Sequence, residues 1–157
     1  DHRDLHPFPT RRSSDLERLR LQGYLDCGAI IIDAGTAMTV DALSTSGAYA
    51  GGTISAGIRL SLRALNEQTA RLPLVDVNEN IILPGMDTDS AIRAGVIVGA
   101  AGAAQLIGER IAAALGIAGP WFITGGYAPL IAQWMKTPMI HAPLLTLEGL
   151  ASAIKDG

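Results

Sequence analysis

Three apolar runs, separated by turns of only three and four residues, decide most of what this chain can fold into. AIIID (29–33) is continuous and apolar until its final acid, as in a central strand buried on both faces. Ala34-Gly35-Thr36 makes the first turn, AMTVDAL (37–43) the second strand, and STSG (44–47) the second turn. AYAGGTI (48–54) reads as a third strand, with Gly51 and Gly52 marking a bulge or a close backbone approach. A crossover between parallel neighbours needs a dozen residues or more, so these links only allow antiparallel hairpins. A doubly wound sheet beginning here is excluded.

Helical spacing takes over afterwards. Ser55 is positioned to cap a helix from about Gly57 to Asn66, with Ile58, Leu62 and Leu65 on one face. The segment 69–85 is broken by Pro73 and Pro84, and Asp87 or Thr88 then caps a long alanine-rich helix ending at Gly116. Gly95, Gly99 and Gly102 fall near one face of it, a pattern suited to close packing against another backbone. WFIT (121–124), a Gly125-Gly126 turn, a helix over 127–135, a strand over 138–142 and a helix over 145–154 complete the pattern. The order βββα, then α-β-α-β-α, resembles the α/β ribonuclease-H-like half-domain of the actin/hexokinase/Hsp70-type phosphotransferase fold.

Composition narrows the chemistry. With 48% hydrophobic residues in 157, the chain can bury a core and is not a disordered polymer. Cys27 alone, and histidines only at His2, His6 and His141, exclude a disulfide framework and argue against a cysteine- or histidine-built metal centre. Formal net charge is -3, and five of the twelve basic residues fall in the first twenty, so no broad positive face for nucleic acid is read. The longest apolar run, AGVIVGAAGAAQLIG, is short for a membrane span and rich in small residues. No secretory signal pattern is read at the start, and a cytoplasmic location is the expectation. Residues 1–16 carry no glycine and no periodicity, the pattern of a disordered arm. HPFPTRRSSDL within them resembles the translation of a sequencing-adapter oligonucleotide, so this stretch reads as foreign and 17–157 as the domain.

The sharpest chemical signal is IIIDAGTAMTVD (30–41). Asp33 follows a buried strand, Gly35 can turn backbone amides toward an anion, and Thr36 and Thr39 add hydroxyls. Asp33 and Asp41 suit a cation beside a phosphate chain. An ordinary Asp-capped β-turn gives the same letters. Gly57, Arg59 and Arg63 stand near a helix amino terminus, where an anion is favoured, although two solvated arginines read equally well. Thr124-Gly125-Gly126 is a strand end before a helix, open to a nucleobase or to a plain turn.

The ordered blocks IIIDAGTAMTVD, GAYAGGTISAG, ALNEQTARLP, GMDTDSAIRAG, ITGG and LLTLEGL resemble those of type III pantothenate kinases, over roughly their carboxyl-terminal half. The resemblance implies ATP-dependent phosphorylation of pantothenate, the first committed step to coenzyme A, by a cytoplasmic homodimer using Mg2+ and potassium or ammonium. It implies that Asp33, Gly35, Thr36 and Thr39 form a phosphate motif and that Asp41 lies by the monovalent cation. Gly125 and Gly126 would line the adenine side, Thr88 would hold pantothenate across the dimer interface, and the helix around Gly95 to Gly102 would join the dimer contact. Two positions depart from the pattern: Ala56 replaces proline, and Asp87 replaces asparagine, adding negative charge where an anionic substrate is expected. The family's first phosphate loop and the Gly-x-Asp-Arg block with its general-base aspartate have no counterpart here, and Asp26 lacks the context to replace that base. No catalytic residue is therefore assigned, and turnover by the chain alone is not expected. The alternative is a non-catalytic regulatory or accessory protein of the same fold.

Overall fold

The computed structural model describes residues 27–78 and 80–145. Strands β1 (Ala29–Ala34), β2 (Ala37–Leu43) and β3 (Tyr49–Ala56) form the meander, followed by helices α1 (Ile58–Gln68) and α2 (Thr88–Leu115). Then come β4 (Trp121–Thr124), α3 (Ala128–Ala132) and β5 (Met139–His141). The sheet order is β3-β2-β1-β4-β5. The first three strands pair antiparallel, whereas β4 lies parallel to β1 and β5 parallel to β4. This is the phosphotransferase-type fold anticipated from the pattern. The expected arm over 1–16 and most of the final helix over 145–154 lie outside the described residues.

Strand alternation gives the sheet two different faces. Ile30, Ile32, Met38, Val40, Trp121 and Ile123 form one with the helices: Ile58 and Leu62 of α1, Ile92 and Ile97 of α2, and Ile131 of α3. Each large aliphatic side chain buried there contributes roughly 1.5–3 kcal/mol relative to exposure. Ala29, Ile31, Leu43 and Phe122 make a smaller apolar cluster on the other face, with Leu145 against it.

Helix α2 begins with a reciprocal cap. The Asp87 carboxylate accepts from the Ser90 N–H at 2.8 Å, and the Ser90 hydroxyl accepts from the Asp87 N–H at 3.1 Å. Gly116, at φ 66°, ends it in the left-handed conformation that glycine adopts most readily. Its buried residues Ile92, Ala94, Ile97, Ala101, Ala104 and Gly108 recur at helical spacing. Gly108 lies under the Trp121 indole, where any side chain would collide. Gly95, Gly99 and Gly102 meet nothing within 4 Å of a built Cβ, so the close packing read from them is not made among the described residues. At 28 residues, α2 is long and apolar enough by length and composition to cross a membrane, unlike the shorter run considered alone, yet one side of it packs on β1 and β2.

Local departures have local causes. Ser55 does not cap α1: β3 continues to Ala56, Ser55 pairs with Met38 and its hydroxyl donates to the Met38 carbonyl at 3.2 Å. Gly57 takes the cap position without a side-chain bond. Helix α3 is shorter than its pattern because Trp134 and Met135 donate to the carbonyls three residues back, which tightens the turn and ends the α-helical ladder. The bulge expected in β3 is present: Ala42 pairs with Gly51 but Leu43 with Tyr49, and Gly51 has φ 114°.

Candidate functional site

The carboxyl ends of β1 and β4 lie side by side, with Asp33 opposite Thr124. Each strand leads into a glycine turn, and backbone bonds tie these turns together. The Tyr127 N–H, just past the second turn, donates to the Ala34 carbonyl at 3.0 Å. The Gly57 N–H, just before α1, donates to the Thr36 carbonyl at 3.2 Å. A Cβ on Gly57 would run into the carbonyls of Gly35 and Thr36. One on Gly125, which also has φ 93°, would stand 2.6 Å from both the Ala34 backbone and Asp33 Oδ1. Three chain segments therefore meet at a point that has no room for side chains.

Above that point opens a cleft of about 580 Å³. Gly35 and Thr36 line it from the β1 turn, Gly126 and Tyr127 from the β4 turn, and Arg59 and Arg63 from α1. A second hollow of about 310 Å³ adjoins it, sharing Arg59, Arg63 and Tyr127 and reaching Asp76 and Val77. Backbone at two turns, the hydroxyl-bearing Thr36 and Tyr127, and two arginines around an open cleft suit an extended anion.

The sequence-derived candidates divide between this cleft and its surroundings. Gly35, Thr36 and Gly126 line it. Asp33 is half-buried and lines neither cavity, but a carboxylate oxygen lies beside Gly35 and Gly125. Thr39 and Asp41 point to the same side of the sheet as Asp33, since Thr39 pairs with Asp33 and Asp41 with Ile31. There the Thr39 hydroxyl donates to Asp41 Oδ2 at 2.8 Å and the Tyr49 hydroxyl to Oδ1 at 3.2 Å. Asp41 is only 5% exposed, so these bonds offset much of the cost of burying its charge. Among the described residues, no three His, Cys, Asp or Glu side chains gather to hold a metal ion.

Thr88 is exposed in the first turn of α2 and lines neither cavity. The charge on Asp87, a concern from sequence, serves as the helix cap. Backbone and hydroxyl hydrogen bonds from Ser90 hold its carboxyl below the ordinary aspartate range. Tyr49 and Tyr127 were not among the sequence candidates. Only the β2–β3 register brings Tyr49 to Asp41, and only the β1–β4 pairing brings Tyr127 beside Gly35.

Comparison with known proteins gives consistent matches. The family model for type III pantothenate kinase matches residues 21–110. A type III pantothenate kinase of Dehalococcoides mccartyi (strain CBDB1) is 43% identical over 121 residues, covering 77% of this chain and 46% of the relative. That of Acidiphilium cryptum (strain JF-5) is 41% identical over 121 residues, with the same coverage. The chain thus spans about half the length of the curated relatives it matches. Among solved structures, a Baf family transcriptional activator from Campylobacter jejuni superposes with TM-score 0.65 at 22% identity, covering 98% of this chain and 67% of that one. An Alp12 filament structure gives TM-score 0.54 at 14% identity, covering 92% and 52%. At those identities the structural matches bear on the fold alone.

Proposed function

The chain belongs to the type III pantothenate kinase family, and from that premise we propose that it is the carboxyl-terminal half of an enzyme that phosphorylates the hydroxyl of pantothenate with ATP. The observation that carries this reading is the convergence of Gly35, Thr36 and Gly126 on one cleft at the ends of two parallel strands. Residues 17–157 form the domain, and residues 1–16 are a foreign arm.

Phosphoryl transfer depends chiefly on positioning and on charge stabilisation. In the proposed site the Gly35 backbone and the Thr36 hydroxyl hold the terminal phosphates, while Gly125 and Gly126 leave the space beside the adenine clear. Asp33 fits one carboxylate ligand of a Mg2+ ion, since such ions bind one or two carboxylates together with substrate phosphates. Bound there, Mg2+ supplies charge neutralisation on the phosphate oxygens. Asp41, held by Thr39 and Tyr49, is assigned to the neighbourhood of the potassium or ammonium ion, with Thr39 positioning its carboxylate. The base that takes the proton from the pantothenate hydroxyl comes from the amino-terminal half.

The reading extends to a cytoplasmic homodimer. The outward side of α2, with Gly95, Gly99 and Gly102 open, is its seam, and Thr88 reaches pantothenate across that seam. The test is an assay of the full-length protein for ATP-dependent phosphorylation of pantothenate, with and without potassium. Potassium-dependent turnover is expected. A folded full-length protein without turnover would overturn the kinase reading in favour of an accessory role.

A further inference from the structure

Two residues at the cleft have no task in the account above. Arg59 and Arg63 stand one helical turn apart on α1, so their side chains project from the same face. Both line the larger cleft, and both line the hollow beside it. Among the described residues no carboxylate lines the larger cleft, and Asp76 is the one acidic residue in the wall of the smaller. The Gly35–Thr36 turn lines the same cleft and is itself tied to the start of α1 through the Gly57 N–H. The helix bearing the guanidiniums is therefore fixed to the turn that shares the cleft with them.

The chemistry of that wall selects among anions. A guanidinium stays charged throughout the physiological range and presents a planar fork of donors matched to phosphate oxygens. Two such forks at successive turns suit a ligand with charge on neighbouring groups. A single carboxylate, as on pantothenate, would engage one fork and leave the other idle. We propose that Arg59 and Arg63 hold the polyphosphate chain of the nucleotide from the α1 side and position it against the Gly35–Thr36 turn. The identity of the ligand as a nucleotide rests on the kinase reading, whereas the recognition of a polyphosphate rests on the cleft.

The experiment uses the full-length protein, with sodium tripolyphosphate, ATP and adenosine titrated separately by calorimetry. Arg59→Gln/Arg63→Gln is expected to weaken tripolyphosphate and ATP binding roughly tenfold or more, with adenosine unaffected. Arg59→Lys/Arg63→Lys should recover part of the loss, because charge is restored without the planar fork. Raised salt should diminish wild-type tripolyphosphate binding as well. In turnover, the double glutamine variant should raise KM for ATP while leaving KM for pantothenate unchanged. The proposal is overturned if wild-type protein does not bind tripolyphosphate, or if the glutamine variant binds it as tightly. It is equally overturned if adenosine binding falls in parallel, since that would signal a general disturbance of the cleft. Arginine-dependent tripolyphosphate binding by a protein that never phosphorylates pantothenate would uphold this inference and sink the kinase reading.

Discussion

Gly57 and Gly125, where the turns converge, and Gly95, Gly99 and Gly102 on the outward side of α2 occupy opposite situations. At Gly57 and Gly125 a single added carbon meets backbone atoms, because three segments converge there. At Gly95, Gly99 and Gly102 the same carbon meets nothing. The first group is consumed by the architecture of this chain, since the turns could not approach one another otherwise. The second leaves a smooth helix surface on which none of the described residues packs. Abundance of one residue type therefore reports two separate things: where the chain closes on itself, and where it leaves room for something else.

The comparison can be broken most decisively at the cleft. Asp33→Asn in the full-length protein keeps the packing between Gly35 and Gly125 but removes the charge, and activity should fall roughly 100-fold or more. Unchanged steady-state kinetics would detach Asp33 from the chemistry. Gly125→Ala should destabilise the chain by roughly 1–3 kcal/mol in urea denaturation, from the positive φ and the collision with Ala34. A neutral result would show that the convergence is looser than the geometry implies.

The α2 glycines should behave in the reverse sense. Gly99→Ala is expected to stabilise the isolated chain by roughly 0.5–1 kcal/mol, as for an exposed helix position. Gly99→Leu should leave the chain folded yet shift the full-length protein toward monomer in sedimentation; an unaltered assembly would remove this face from the dimer seam.

The smallest effect concerns the cap of the same helix. Because hydrogen bonding lowers the folded pKa of Asp87, its contribution is present above the unfolded aspartate value of about 3.9. That contribution is lost as the pH falls through the lower folded value. Asp87→Ala should lower Tm modestly at neutral pH. Asp87→Asn should preserve the neutral Tm, since asparagine also caps, while abolishing this part of the acid sensitivity. Identical acid profiles for Asp87→Asn and the parent chain would place the sensitivity elsewhere.

Much of this was readable from the letters, for physical reasons. The continuous apolar run of β1 and the tight hairpins left one sheet topology for the meander, and the two cap candidates Asp87 and Thr88, with Gly116, bracketed α2 closely. Gly35, Thr36 and Gly126 stood out because turns at strand ends require small or hydroxyl-bearing residues. Pairing across distance was not legible. Ser55 looks like a cap until Met38 claims it for the sheet. Thr36 and Thr39 look equivalent in sequence, yet Thr36 reaches the cleft while Thr39 bonds to Asp41. Tyr127 lies far along the chain from Gly35, and only the parallel β1–β4 register brings them to one cleft.

The bulge in β3 has a consequence of another kind. This strand is an outer edge of the sheet, and a straight edge offers its unpaired amides and carbonyls as a template for a strand from another molecule. With Gly51 at φ 114° opposite Ala42, that row is bent out of register partway along. The edge is thereby guarded against strand-to-strand aggregation by the one residue type that adopts the bend without strain.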